Sequence, residues 1–278
     1  MKKIQVTLTV EEGKEIIALG ILNHSVFLNS VEKGKILFKG GTTVSRITEK
    51  LVGVPLRISG RITSRGTVST KKISEGFHSI LYEKGEWFGV DDNIVEVVQK
   101  FNHNDLIICG ANAIDYKGNA AIMAGSLGGG NVGRSLSAWY TEGAKILIAT
   151  GLEKMIFGDL DDVVKKASRK GKSISWGMAV GLMPLPGELF TEIEAVKQLA
   201  NVECFQIGAG GIGDAQGSST LEIWPSTDKD YDKIVDVLKE VKSKSIETSG
   251  VKESLVECEA ICSSCKGHIG CGYKSKFL

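Results

Sequence analysis

The sequence predicts an α/β protein: an open parallel sheet with flanking helices, a smaller ferredoxin-like α+β domain and a cysteine-rich C-terminal tail. Three observations carry this expectation. Short apolar runs alternate with helix-period segments through the first 170 residues, the order then changes to βαββαβ, and four of the six cysteines fall within the last 21 residues. Strand–helix alternation implies parallel strands joined by right-handed crossovers.

Ile4-Gln5-Val6-Thr7-Leu8-Thr9-Val10 alternates apolar and polar side chains as a half-buried strand does. Residues 35–38 read as a strand, after which Gly40-Gly41 turns into a helix with Val44, Ile47 and Leu51 on one face. Residues 54–58 read as a second strand. Asp91-Asp92-Asn93 offers caps for a helix bearing Ile94, Val95, Val98 and Phe101, and residues 106–109 follow as a buried strand. A short strand over 120–123 leads through a glycine-rich turn to a helix over 132–142, whose Trp139 and Tyr140 read as core. A strand over 145–149 and a helix over 161–169 complete a Rossmann-like domain, residues 1–170. In residues 171–256, strands at 173–182, 202–207, 221–224 and 253–256 alternate with helices at 188–199 and 230–241, the split βαβ order of ferredoxin-like domains. The tail is residues 257–278.

The 278 residues suffice for a well-buried core. With 42% hydrophobic and 24% charged residues, composition excludes a disordered or fibrous chain. Lys and Arg number 34 against 33 acids, a formal net charge of +1, so nothing drives binding to nucleic acid or a membrane surface. No apolar run approaches the roughly 20 residues that cross a bilayer, and the Met1-Lys2-Lys3 start lacks the apolar block of a signal peptide. A cytoplasmic protein with neither nucleic-acid nor membrane partners is expected; a homo-oligomer is compatible with all of this.

Cys258, Cys262, Cys265 and Cys271 have the spacing Cys-x3-Cys-x2-Cys-x5-Cys, with His268 between the last two. Four adjacent thiolates repel unless a cation or cluster neutralises them. Zinc sites usually use two Cys-x2-Cys pairs separated by a longer excursion, whereas this compact set suits a 4Fe–4S cluster. Zinc is the alternative, and a redox thiol set stays open. His268 reads as a loop histidine. Cys109 and Cys204 lie in apolar runs and read as buried small side chains.

Gly40-Gly41-Thr42-Thr43 stands where a strand becomes a helix, with free amides and hydroxyls that suit an anion, and Arg46 one turn later. An ordinary glycine turn is the competing reading. The segment from Gly125 to Ser135 is richer, and Gly128, Gly130 and Gly133 match G-x-G-x-x-G. Gly129 and Arg134 belong to this candidate phosphate-binding loop, where a bulky residue at 129 is expected to abolish binding. Gly208, Gly210 and Gly213 match the pattern too, but a strand rather than a helix follows. Asn112 and Asp115 follow a buried strand at the sheet edge where parallel sheets bind ligands, as does Glu153 after the next strand. Asp115 and Glu153 are the candidate acids or bases. An Asx turn at Asp115 and a solvated Glu153–Lys154 pair are the structural alternatives.

Gly-Gly-Thr-Thr opening a helix, then Gly110-Ala111-Asn112-Ala113-Ile114-Asp115, Gly118, Gly125 and Thr150-Gly151, together resemble the ribose-5-phosphate isomerase, glucosamine-6-phosphate deaminase and CoA-transferase superfamily. The resemblance spans roughly residues 30–155. It implies that Gly40 to Thr43 and Gly128 to Gly130 surround a phosphate or pantetheine-type ligand. The acid that the isomerases carry after Gly-Ala is Asn112 here, and the tail belongs to none of these families. The function expected is binding of a phosphorylated or CoA-linked small molecule, with isomerase-, transferase- or hydrolase-like action and a C-terminal iron–sulfur cluster. A non-catalytic ligand-sensing or redox-responsive module and a dinucleotide-dependent redox enzyme are the alternatives.

Overall fold

In the computed structural model, which describes residues 2–70 and 75–243, the most apolar runs of the sequence become the centre of the main sheet. β1 (Ile4–Leu8), α1 (Val10–Leu22) and α2 (Ser25–Lys33) precede β2 (Lys35–Lys39) and α3 (Thr42–Val52). Two antiparallel pairs follow, β3 (Gly60–Thr63) with β4 (Gly66–Ser69), and β5 (Ser79–Glu83) with β6 (Glu86–Gly89). Next come α4 (Ile94–Val98), β7 (Leu106–Cys109), β8 (Ala113–Ile114), β9 (Ala120–Ala124), α5 (Gly130–Thr141), β10 (Lys145–Ala149) and α6 (Leu160–Lys166). The chain continues through β11 (Gly181–Leu185), β12 (Glu188–Phe190), α7 (Glu192–Leu199), β13 (Val202–Gly210), β14 (Ser218–Pro225) and α8 (Asp228–Lys242).

The main sheet has the order β12-β10-β7-β2-β5-β6. Its first four strands are parallel, but β5 pairs antiparallel with β2 and β6 antiparallel with β5, so the sheet is mixed rather than wholly parallel. Side-chain alternation feeds two cores. Ile36, Phe38, Leu106, Ile108, Leu147 and Ala149 pack with α1, α3 and α7, while Leu37, Ile107, Cys109, Ile146 and Ile148 pack with α4 and α5.

Several expectations needed correction. Residues 54–58 are an extended connection without strand pairing. Residues 120–124 leave the main sheet and pair antiparallel with β8 and β11. The strand expected over 173–182 begins only at Gly181. The helix expected from 188 starts after β12, where Thr191 and Glu194 form a capping box. Among the described residues, the segment from 171 onward does not make its own βαββαβ sheet: β12 joins the main sheet, and β1 completes the sheet of β13 and β14. Tyr140 is exposed, whereas Trp139 is core. The strand expected over 253–256, the four tail cysteines and His268 lie outside the described residues.

Candidate functional site

Where parallel strands end, the backbone turns away and leaves a crevice. Here the ends of β2, β7 and β10 open into a cavity of about 250 Å³. Lys39 is the last residue of β2, Gly110 to Asn112 follow β7, and Ala149 and Thr150 close β10. Ile122 and Met123 of β9 form one wall. The β3–β4 hairpin makes the cover and is held to the segment of Met178 by backbone pairing between Thr67 and Gly177 and by a hydrogen bond from the Met178 amide to the Thr67 carbonyl.

Gly40, Gly41, Thr42, Thr43 and Asn112, all singled out from the sequence, line this cavity. Gly40 is required by packing, because a Cβ there would collide with the carbonyl oxygen and Nδ1 of His78. At the N-cap position Gly41 offers no side-chain cap, so the first amides of α3 are left for another acceptor. Asn112 is oriented by the Met123 amide, which donates to its Oδ1 at 2.9 Å.

The charge of the lining is one-sided. Lys39, Arg61 and Lys154 contribute to it, and among the described residues no Asp or Glu does. Lys154 pairs with Glu153 at 3.4 Å, outside the lining. Lys39 is half-buried, and its ammonium has no hydrogen bond or ion pair among the described residues. Burial holds its pKa below the ordinary lysine value. Its neighbour Cys109 is pushed up to about 12 by burial and stays a neutral thiol; Cys204 is likewise buried and raised to about 12.

Other sequence candidates are elsewhere. Asp115 is 1% exposed, and its carboxylate accepts from the amides of Lys117, Asn119 and Leu160 and from Asn119 Nδ2, all at 2.9–3.1 Å. Burial alone would raise its pKa, but these four donors bring it below the usual value, so it is an ionised knot between the β8–β9 turn and α6. Glu153 stands beside Glu192, whose carboxyl is pushed up to about 7 by burial first and by Glu153 second. Gly128, Gly129, Gly130 and Arg134 do not line the cavity. The three glycines have φ of 60°, 75° and 68°, and a Cβ on Gly129 would strike Met183. Backbone shape and packing therefore account for glycine there. Arg134 bonds to Asn131, whose Nδ2 donates to the Asp91 carbonyl at 2.7 Å.

Lys39, Ser59 and Arg61 of the lining escaped the sequence reading. Lys39 has only its place at a strand end to mark it. Ser59 lines the cavity from the extended connection before β3, and its hydroxyl is 3.4 Å from His78 Nε2. Among the described residues, no group of three or more His, Cys, Asp or Glu could hold a metal, and no helix is long and apolar enough to cross a membrane.

No protein-family model, curated protein or solved structure matches this chain.

Proposed function

We propose that this chain binds a phosphorylated small molecule at the ends of β2, β7 and β10 and acts on it. The observation that carries the reading is a cavity lined by Lys39, Arg61 and Lys154 with no carboxylate among the described residues. An anion there gains charge-assisted hydrogen bonds from Lys39 and the open amides of α3. The superfamily resemblance over roughly residues 30–155 points to the same ligand chemistry. Ligand pockets generally measure roughly 300–1,000 Å³. The smaller volume here favours a compact phosphate ester, and most of a CoA-linked molecule would have to lie outside. Transfer or hydrolysis is better supported than carboxylate-driven isomerisation, since Asp115 is committed to four donors and Glu153 lies outside the lining.

Titration calorimetry with ribose 5-phosphate and inorganic phosphate tests the binding. Wild type should bind in the micromolar to millimolar range, and Lys39→Met should bind at least about tenfold more weakly, the worth of a lost charge-assisted hydrogen bond. Absence of binding to both probes, or equal binding by the variant, overturns the reading.

A 4Fe–4S cluster on Cys258, Cys262, Cys265 and Cys271 belongs to the same proposal, with zinc as the alternative, and its support is the spacing alone. Iron, sulfide and zinc analysis of the anaerobically purified full chain decides it; absence of all three removes the metal centre.

A further inference from the structure

We infer that Ser59 and His78 form a nucleophile–base pair, and that the cavity cleaves a carboxylic ester or thioester whose substrate also carries an anionic group. The charge of that substrate rests on the proposed anion site; the pair itself rests on separate geometry. His78 immediately precedes β5, and its backbone is pinned by Asp91, which accepts from the amides of His78 (2.9 Å) and Ser79 (2.7 Å) while pairing with Arg57 at 3.0 Å. The ring is pinned separately. Nδ1 lies 2.8 Å from the Arg57 carbonyl, which can only accept, so Nδ1 carries the proton and Nε2 keeps a lone pair. That lone pair faces Ser59 Oγ at 3.4 Å. Nucleophile, base and a third group orienting the base make up the constellation of covalent catalysis, in which the nucleophile contact is often loose before substrate arrives.

Burial and the nearby Lys39 hold the His78 pKa at about 4, so the ring is neutral across the physiological range. An anionic substrate beside Lys39 offsets that cation and makes Nε2 more basic when substrate is bound.

The step balances within these groups. The Ser59 proton passes to Nε2 as Oγ bonds the acyl carbon, and the bond from that carbon to the leaving alcohol or thiol breaks. The leaving group takes the proton from Nε2. Water then repeats the sequence and releases the acid, restoring Ser59. With Lys39 facing the substrate's anionic group, the first amides of α3 are the donors available to the oxyanion.

A neutral fluorophosphonate label and p-nitrophenyl acetate test this without needing anion binding. Mass spectrometry of the full chain should find the label on Ser59, with loss of fluoride, and none on Ser59→Ala. The side-chain amide of His78→Asn can replace the Nδ1 donor to Arg57 while removing the base. This variant should keep the wild-type melting temperature, yet label and turn over p-nitrophenyl acetate about 100-fold more slowly or less. Label absent from Ser59, or equal rates in His78→Asn, overturns the pair. Labelling of Ser59 without phosphate binding overturns the anion site alone, and phosphate binding without labelling overturns only the pair.

Discussion

At Lys39 the requirements of folding and binding oppose each other. A half-buried ammonium with no partner among the described residues is desolvated for nothing until an anion arrives. Lys39→Met should therefore raise the melting temperature in anion-free buffer while weakening anion binding, a trade-off of the kind that marks functional sites. Because burial lowers its pKa, the ammonium is lost as pH rises below the ordinary lysine range. Sulfate, whose charge is constant above pH 4, should thus lose affinity with rising pH before the ordinary lysine value of 10.5 is reached, and a flat profile would assign the binding to other donors. Glu192 gives a second pH dependence with the sign worked out. Its folded pKa of about 7 is raised above the ordinary 4.5, so its favourable contribution is complete below about 4.5 and is lost as pH rises to about 7. Glu192 is 3% exposed, and the shift corresponds to about 3 kcal/mol. Glu192→Gln keeps an acceptor for the Leu152 amide. Its melting temperature should exceed that of wild type at pH 8 and match it at pH 5.

At the scale of elements, some signals were legible and others were hidden by packing. The Thr-x-x-Glu pattern of Thr9-Val10-Glu11-Glu12 was not read as a helix start, yet in the structure Thr9 accepts from the Glu12 amide and Glu12 accepts from the Thr9 amide. It ends β1 at Leu8, where strand alternation alone ran on to Val10. The body of α1 was not readable as an amphipathic helix, because it is enclosed by α3 and α7 and buries Glu12, Lys14 and Glu15 along with Ile16 and Ile17. Ion pairs to Glu11, Lys50 and Lys242 make that burial tolerable. Asp91 misled in the opposite sense: it looked like a cap for α4, yet it spends its carboxylate on the His78 loop. Asp115→Ala should remove the tie between the β8–β9 turn and α6 and cost about 2–3 kcal/mol, measured by urea denaturation. Gly129→Val should also lower the melting temperature, through Met183 and the positive φ, and leave anion affinity within about twofold of wild type, since Gly129 is outside the cavity lining.

At the scale of the whole molecule, the site is assembled from segments far apart in the chain: β2 and α3, the β3–β4 hairpin, the ends of β7 and β10, and the stretch around Met178. Local glycine density pointed to the loop at Gly125 to Ser135, and that loop is taken up by its own helix start and by methionine packing. The less glycine-rich Gly40-Gly41 turn lines the cavity because β2 is a central strand whose end meets those of β7 and β10.

Local chemistry is written in adjacent residues, so the sequence by itself determined the α/β class, the apolar strands β2, β7 and β10, the helix start at Gly-Gly-Thr-Thr and the compact cysteine spacing of the tail. Only the tertiary structure decided that the sheet is mixed, that β1 completes the sheet of β13 and β14, that Asp115 is a structural knot, and that Ser59 faces His78. Each of these depends on partners distant in sequence, whose pairing is selected by burial of the whole chain rather than by any local pattern.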